Sequence, residues 1–328
     1  MATLVIDRSN IEVKSDGAAL AVYEAGERRG SVPVKLLDRV VLQGTIRLDT
    51  GVLTRLAEAG VPTVLLGGRS SRRMAMLLGP AHRDASVRLA QFQCALDPQW
   101  CDSWSRRLIV GKVRGQLKLL RRALVERPDA RKPVFDAIGT IEAALRSIAE
   151  KPDLAAVNVR GIEGACAAAH FRGYAALFPD GLGFNGRNRR PPRDPVNAAL
   201  SLAYTLLHFD AVRASYSAGL DPLIGFYHRP AHGRESLACD FVEPLRARAE
   251  AWVWSMFRNR VLRAENFTLD KGACLLGKAG REAFYADYEK FAIVPRRWLR
   301  LQCAGLAAAL RDKGEPLLDD ADPEGAEG

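Results

Sequence analysis

The chain has 328 residues, 48% of them hydrophobic and 26% charged, with a formal net charge of +10 at pH 7. This composition is that of a soluble globular protein, and no apolar run reaches the roughly 20 residues of a membrane span, so we expect a cytoplasmic chain without membrane contact. The six cysteines are scattered without a CxxC pair, which disfavours structural zinc and a disulfide framework and fits a reducing compartment.

Residues 1–82 are predicted to form a β-rich domain. Short apolar runs typical of strands, separated by turn residues, recur at 3–6, 19–23, 32–34, 40–42, 61–66 and 74–78. One helix interrupts them, because Asp49 or Thr50 can cap an amphipathic segment that ends at Gly60.

Residues 83–314 are predicted to form a larger domain, because the apolar spacing there becomes that of helices. A core-facing stripe is formed by Val113, Leu117, Leu120 and Leu124. Further helical patterns occur at 153–178, 195–217, 236–263 and 280–310. The sequence therefore predicts an α+β protein, with a small β-rich N-terminal domain followed by a larger all-α domain.

Residues 315–328 form an acidic tail with six acids and no base. We expect this tail to be disordered, because it has almost no apolar content. Without it the body of the protein is more basic than the total of +10 implies. Such an excess favours polyanions through long-range attraction and counterion release, although charge alone also fits a merely soluble basic protein.

One histidine and two acids lie close together in the stretch 225–246, which is GFYHRPAHGRESLACDFVEPLR. They are His228, Asp240 and Glu243. The two acids are three residues apart in a predicted helix, which places both carboxylates on one face within about a turn. Pro244 cannot donate a backbone hydrogen bond, so the helix should kink directly behind them. By itself the stretch fits either a metal site or a capped, solvated acidic face paired with Arg234 or Arg246.

A further carboxylate, Glu163, lies in the small-residue context RGIEGACAAAHF. Gly161 and Gly164 lower the helix propensity there by roughly 1 kcal/mol each relative to alanine, which suggests close backbone packing around Glu163. A buried carboxylate needs a metal ion or an arginine beside it. One imidazole and two or three carboxylates together form a ligand set that suits Mg²⁺ or Mn²⁺, metals that commonly act on phosphate esters.

Arginines cluster in the segment GFNGRNRRPPRDPVN, around a rigid pair of prolines. They are Arg187, Arg189, Arg190 and Arg193. Guanidinium groups in such a loop suit phosphate oxygens, and the preceding basic helix adds Lys112 and Lys118. We expect contacts with a nucleic-acid backbone rather than base readout, since neither segment interleaves aromatic residues. A solvated loop that keeps the chain soluble is the alternative.

Motifs along nearly the whole chain together resemble the CRISPR-associated protein 1 family, the integrase and endonuclease of CRISPR spacer acquisition in antiviral defence. RGIEGACAAAHF is similar to the family's glutamate motif, and GRNRRPPRDPVNAALSLAYTLL to the segment that usually follows it. GLDPLIGFYHRPAHGRESLACDFVEPLRA resembles the histidine-plus-acidic motif, and NFTLDKGACLLGKAGREAFYADYEKF resembles the C-terminal segment. The N-terminal domain matches as a pattern of strands and turns.

The resemblance implies that Glu163, His228 and Glu243 are catalytic and hold a divalent metal, Mg²⁺ or Mn²⁺. Asp240 would be a supporting acid; many members carry aspartate at the position of Glu243, so the choice of third ligand between these two acids stays open. The resemblance also implies an α-helical catalytic domain and homodimers formed through residues 1–82. Two such dimers would clasp a dimer of the CRISPR-associated protein 2.

The family's reaction is a transesterification, in which a free DNA 3′-hydroxyl attacks a phosphodiester at the boundary of a CRISPR repeat. No protein nucleophile is needed, which agrees with a sequence that contains neither a GxSxG elbow nor a Walker A lysine motif. The DNA partners would be the prespacer and the repeat. Two alternatives stay open: a general metal-dependent DNA nuclease outside CRISPR loci, and a non-catalytic DNA-binding scaffold whose acids are paired with arginines.

Overall fold

The computed structural model describes residues 2–67, 73–79, 84–151, 156–188 and 191–314. Internal contacts divide the chain into two compact units, Met1–His82 and Arg83–Gly328. The first unit contains strands and a helix, and the second is mostly helical, which confirms the predicted α+β class. The expected disorder of residues 315–328 concerns a segment outside the described residues.

Two four-stranded sheets make up most of the first unit. Their strands are β1 (Ala2–Ile6), β2 (Ile11–Asp16), β3 (Ala19–Glu24), β4 (Glu27–Pro33), β5 (Leu37–Gln43), β6 (Ile46–Leu48), β7 (Thr63–Gly67) and β8 (Arg73–Leu77). One sheet has the order β1–β5–β7–β8, with β8 antiparallel at its edge. The other has the order β4–β3–β2–β6, in which β6 runs parallel to β2 and the remaining pairs are antiparallel.

The sequence expectation omits β2, because only every other side chain of this strand faces the core. Ile11 and Val13 are 3% and 1% exposed, whereas Lys14 is exposed to solvent. Alternation with a period of two is typical of a half-buried strand and leaves no continuous apolar run to detect.

The helix α1 (Thr50–Glu58) begins where the sequence predicts. The Asp49 carboxylate accepts a hydrogen bond from the Val52 backbone N–H at 2.8 Å and caps the first turn. Gly60 follows the helix with a φ of +64°, which glycine adopts without strain. The helix and both sheets share one core, formed by Ile6, Ile11, Val13, Leu20, Val34, Leu37, Val40, Leu42, Val52, Leu56 and Val61.

Helices form most of the second unit. They are α2 (Ser86–Leu96), α3 (Pro98–Glu126), α4 (Arg131–Glu150), α5 (Ala156–Ala175), α6 (Pro195–Ser217), α7 (Ser236–Val242), α8 (Arg246–Arg258) and α9 (Lys278–Gly314). Within the described ranges, none of the helices has both the length and the apolar character of a membrane span.

The helical unit also contains an antiparallel hairpin of β9 (Phe267–Asp270) and β10 (Ala273–Leu276). Lys271 and Gly272 connect the strands with φ angles of +49° and +76°. Positive φ at both central residues is what a tight two-residue hairpin turn requires. Such short strands do not stand out beside long helical patterns, so the sequence expectation omits them.

The long helix α3 packs against α4, α5 and α8, and its glycines allow one close approach. A Cβ atom at Gly115 would lie 3.2 Å from the Ala247 Cβ, and one at Gly111 would lie 3.7 Å from the Pro244 Cβ. A side chain at Gly115 would press on Ala247, whereas a methyl group at Gly111 would just reach ordinary contact with Pro244. The glycines therefore bring Glu243 next to the middle of that helix.

The helix that carries the two predicted acids is interrupted at Pro244, as the sequence predicts. α7 ends at Val242, Glu243–Leu245 form one 3₁₀ turn, and α8 begins at Arg246. Proline has no N–H to donate to the preceding turn, so the regular helix cannot continue through it. The interruption directs the two acids toward different neighbours.

Candidate active site

Asp240 on α7 is completely buried and accepts hydrogen bonds from one backbone segment. The N–H groups of Phe226 and Tyr227 donate to its Oδ2 at 2.8 and 3.0 Å, and the N–H of His228 donates to its Oδ1 at 2.9 Å. The ring nitrogen Nδ1 of His228 lies 2.8 Å from the same Oδ1. Hydrogen bonds to a charged group are roughly twice as strong as neutral ones, so Asp240 fixes both the loop and the imidazole.

A second buried side chain, Gln91 on α2, holds the start of the same loop. Its Nε2 donates to the carbonyl oxygens of Asp221 and Ile224 at 2.9 and 2.7 Å, and the Asp221 N–H donates to its Oε1 at 2.8 Å. Because Gln91 is fully buried, water does not compete for these bonds. The local sequence does not predict this role, since the partners lie 130 or more residues away along the chain.

The loop also packs closely on the first turn of α7 at Gly225, where a Cβ atom would lie 2.7 Å from the Ser236 carbonyl carbon and 2.8 Å from the His228 carbonyl oxygen. Backbone atoms cannot rotate away, so Gly225→Ala is expected to lower the free energy of unfolding by about 1–3 kcal/mol. Urea denaturation measures the change. The matched control is Gly139→Ala within α4, where no atom would lie within 4 Å of the new methyl group. Equal stability of the two variants would contradict the close packing at Gly225.

His228 presents one ring nitrogen to the space beside Glu243. When Nδ1 donates its proton to Asp240, Nε2 is left as an acceptor. Nε2 lies 3.9 Å from Oε1 of Glu243, and 26% of the His228 side chain is exposed. A ring fixed in this way can bind a metal ion or take up a proton.

The carboxylate of Glu243 is 5% exposed and lies between two cations. Arg246 donates from Nε to Oε1 at 2.8 Å, and Nζ of Lys112 lies 2.7 Å from Oε2. Burial by itself raises the pKa of Glu243, but the charges of Arg246 and Lys112 outweigh burial and lower the pKa to about 2. Oε2 has no hydrogen bond, because the close Lys112 contact is not aligned for one.

Glu163 on α5 reaches the same lysine. The Lys112 ammonium pairs with Oε1 of Glu163 as well as with Glu243, and the Tyr227 hydroxyl donates to Oε2 of Glu163 at 3.1 Å. The Lys112 side chain is 8% exposed. Burial lowers the pKa of its amine, but the carboxylates of Glu243 and Glu163 outweigh burial and raise the pKa. Glu163, His228 and Glu243 are therefore brought together next to one buried lysine.

The donor types of this cluster suit a divalent metal, although the side chains are arranged around Lys112. Among the described residues, no group of three or more His, Cys, Asp or Glu side chains has the arrangement of a metal site. Two carboxylates and a neutral imidazole are nevertheless donors that Mg²⁺ and Mn²⁺ accept. Oε2 of Glu243 is in addition a buried oxygen without a hydrogen bond. The residues present thus fit such an ion by their chemistry.

Arg246 connects Glu243 to further buried polar groups. Its guanidinium lies 4.6 Å from the ring centroid of Tyr204, whose hydroxyl donates to Oε1 of Glu250 at 2.5 Å. The other oxygen of Glu250 lies 2.7 Å from Nε2 of His170. Glu250 is 1% exposed, and these partners compensate the cost of burying its charge. The connected groups keep Arg246 in place against Glu243.

Arg187, one of the predicted DNA contacts, turns toward the protein. Its guanidinium donates to Oδ1 of Asn197 at 2.7 Å and to Oγ of Ser201 at 3.1 Å, both on α6. The Asn188 backbone N–H also donates to Oδ1 of Asn197, at 3.1 Å. Arg187 and Asn188 are therefore held against α6, and the contact of Arg187 with DNA stays a prediction.

The other predicted DNA contacts lie in different environments. Lys118 and Arg193 are exposed and available to a phosphate backbone. Lys112 is the buried lysine described above, so its amine is next to carboxylates rather than at an open surface. Arg189 and Arg190 lie outside the described residues.

Sequence reasoning assigns no role to Tyr227 or Gln91 and counts Arg246 only as a possible partner for an acid. Tyr227 could have been found as the neighbour of His228, and Arg246 by its position three residues after Glu243. Gln91 has no such signal. Tyr227 and Gln91 orient the site through contacts that join distant parts of the chain, whereas Arg246 contacts Glu243 within one turn.

Comparison with known proteins finds similarity along nearly the whole chain. The model of the family described as CRISPR associated protein Cas1 matches residues 4–290, a range that spans every described residue of the cluster. The CRISPR-associated endonuclease Cas1 1 of Thermodesulfovibrio yellowstonii is 36% identical over 321 residues, which cover 95% of this chain and 98% of that relative.

Solved structures share the fold. A casposase bound to integration product has a TM-score of 0.81 at 20% identity and covers 99% of this chain and 94% of its own. A Cas6-RT-Cas1–Cas2 complex has a TM-score of 0.78 at 20% identity, with 95% of this chain and 35% of that chain covered. At these identities the likeness establishes the fold alone.

Proposed function

The chain belongs to the CRISPR-associated Cas1 protein family, and we propose that it is a divalent-metal-dependent DNA endonuclease and integrase that inserts new spacers into a CRISPR array. The observation that carries this proposal is the meeting of Glu163, His228 and Glu243, from three separate segments, beside the buried Lys112. Charged groups that served only solubility would remain in water, because burying them is costly.

The names of similar proteins support the enzymatic part of the proposal. The Thermodesulfovibrio relative is named an endonuclease, and the structurally similar casposase is bound to an integration product. The match covers 98% of that relative, so the proposal concerns the whole of this chain rather than one domain.

Glu163, Glu243 and Nε2 of His228 would hold Mg²⁺ or Mn²⁺. When bound, such an ion would help to ionise the attacking hydroxyl and neutralise charge that develops on the phosphate. Asp240 already accepts three backbone N–H groups and faces the His228 ring, so we assign it the orientation of that ring rather than metal binding.

The proposed reaction is a transesterification at the repeat boundary. A DNA 3′-hydroxyl loses its proton and forms a P–O bond, while the P–O bond to the outgoing 3′-oxygen breaks and that oxygen takes up a proton. The number of phosphodiester bonds is unchanged, so no external energy source is needed. His228 has a fixed ring and a partly exposed edge, which suits it to accept the first proton when Nε2 is not a ligand.

DNA binding would depend on the basic surface of the second unit. Lys118 and Arg193 are exposed and suited to phosphate oxygens, and Arg189 and Arg190 belong to the same arginine-rich stretch of the sequence. Arg187 is held against α6 by Asn197 and Ser201. The DNA substrates would be the prespacer and the CRISPR repeat.

The proposed partners are a second copy of this chain and the CRISPR-associated protein Cas2. The structurally similar Cas6-RT-Cas1–Cas2 complex supports the second partner. Homodimer formation through residues 1–82 and a cytoplasmic location are proposed from the family resemblance.

Strand transfer by the purified chain, with Cas2 added, is expected to require Mn²⁺ or Mg²⁺. A labelled oligonucleotide with a free 3′-hydroxyl is incubated with repeat-containing DNA, and the joined product is quantified on a denaturing gel. We expect EDTA to remove the product and excess Mn²⁺ to restore it. An oligonucleotide that ends in a dideoxynucleotide is the matched control and should not be joined. Product formation at an unchanged rate in EDTA would rule out the metal-dependent mechanism.

The same assay separates the two alternative functions. A general nuclease would cut DNA without a repeat as fast as DNA with one and would join nothing. A non-catalytic scaffold would bind both DNAs and form no product with any metal. Either result would replace the integrase proposal.

A further inference from the structure

We propose that Lys112 is a resident counter-cation of the active site, which pairs with the partly buried Glu163 and the buried Glu243 and with which the divalent metal competes. The competition rests on the metal site proposed above. The role as counter-cation does not, because it concerns contacts within the chain itself.

The contacts of Lys112 carry the first step. It lies in the middle of α3, it is 8% exposed, and its ammonium pairs with one carboxylate from α5 and one from the 3₁₀ turn before α8. A lysine is almost never buried to this extent without compensation. Of the two carboxylates, Glu243 is 5% exposed and Glu163 is 23% exposed, so the buried lysine and the buried Glu243 depend most on each other.

The charges around the lysine carry the second step. The cluster contains the carboxylates of Glu163, Asp240 and Glu243 and the cations of Lys112 and Arg246. The His228 ring links Asp240 to Glu243 and is counted as neutral. The formal sum of these charges is −1, and loss of the lysine would make it −2. A more negative cluster binds a divalent cation more tightly. The effect is strengthened around Lys112 and Glu243, because these two side chains are largely withdrawn from water.

The two oxygens of Glu243 carry the third step. Arg246 donates to Oε1, whereas the Lys112 ammonium lies 2.7 Å from Oε2. The lysine therefore covers the oxygen of Glu243 that Arg246 does not hold, and it pairs with Glu163 as well. A metal ion held by these two carboxylates would require the ammonium to move.

Lys112→Met tests the competition, because methionine keeps much of the side-chain volume and removes the charge. Without DNA, isothermal titration with MnCl₂ is expected to give a dissociation constant at least about tenfold lower than that of the wild-type chain. In EDTA the melting temperature of the variant should fall by at least about 5 °C, and Mn²⁺ should raise it more than it raises that of the wild type. Lys118→Met, an exposed lysine on the same helix, is the matched control and should change neither value.

A double variant separates charge pairing from packing. Lys112→Met with Glu163→Gln removes both charges, so we expect it to recover most of the melting temperature that Lys112→Met alone loses in EDTA. No loss of stability in Lys112→Met, or no recovery in the double variant, would overturn the counter-cation role. A Mn²⁺ affinity equal to or below that of the wild type would overturn the competition.

The proposed function and this inference fail in different ways. If the wild-type chain binds no Mn²⁺ by titration and transfers no strand, the proposed function fails, and the competition fails with it. The melting temperatures in EDTA still decide whether Lys112 is the counter-cation.

Discussion

Glu163→Gln and Glu243→Gln are each expected to reduce strand transfer more than about 100-fold while DNA affinity stays within about twofold. Glutamine keeps the size of the side chain and removes the negative charge. Each variant therefore loses one anionic ligand of the proposed metal ion, whereas Lys118 and Arg193, the exposed residues that would bind DNA, are unchanged. Transfer rates from the gel assay and DNA affinities from fluorescence anisotropy measure the two effects separately.

The control for these variants is Glu150→Gln, an exposed glutamate at the end of α4. It should keep the wild-type transfer rate, since it is not part of the cluster. The two active-site variants should also differ from each other in stability, because Glu243 is 5% exposed and pairs with both Lys112 and Arg246, whereas Glu163 is 23% exposed. Undiminished strand transfer in either active-site variant would refute the metal mechanism.

Asp240→Ala is expected to lower the free energy of unfolding by about 3–5 kcal/mol. Asp240 is completely buried, and its removal leaves three backbone N–H groups and the His228 ring without their acceptor. The backbone of residues 226–228, which carries His228, would no longer be held in one conformation. Urea denaturation followed by circular dichroism measures the loss, with the exposed Asp312→Asn on α9 as the matched control.

Asp240→Asn distinguishes a positioning role from a ligand role. The amide oxygen can still accept hydrogen bonds, so we expect a stability between those of the wild type and Asp240→Ala. Strand transfer should fall by roughly 10- to 100-fold, which is the usual effect of changing a residue that orients a metal ligand. The affinity for Mn²⁺ should stay nearly normal. If Mn²⁺ binding disappeared in Asp240→Asn while stability was retained, Asp240 would be a metal ligand and our assignment would be wrong.

The comparison of Asp240 with Glu243 shows where sequence spacing stops being informative. Two acids three residues apart on a continuous helix would share one face and similar partners. The helix instead ends before Pro244, and the acids diverge: one accepts the backbone of the 226–228 loop, and the other faces Lys112 on α3. The sequence predicted the interruption at the proline, but it did not predict which groups Asp240 and Glu243 would contact.

Lys112 is the residue for which sequence reasoning and structure differ most. Among the basic residues of α3 it looks like a DNA contact, since periodicity alone does not distinguish it from Lys118. Gly111 and Gly115 let the 243–247 segment approach the helix closely, and this approach encloses Lys112 with carboxylates. Its burial follows from packing between elements far apart in the chain.

The family resemblance predicted that Glu163, His228 and Glu243 act together. The sequence by itself determined the α+β class, the capped helix after Asp49 and the interruption at Pro244. These are local properties, since they depend on hydrophobic spacing, capping and proline geometry within a few residues. The tertiary structure decided which acid orients His228, which lysine is buried and how Gln91 holds the loop. Those outcomes depend on desolvation and on charges that meet only when distant segments pack, so no local pattern encodes them.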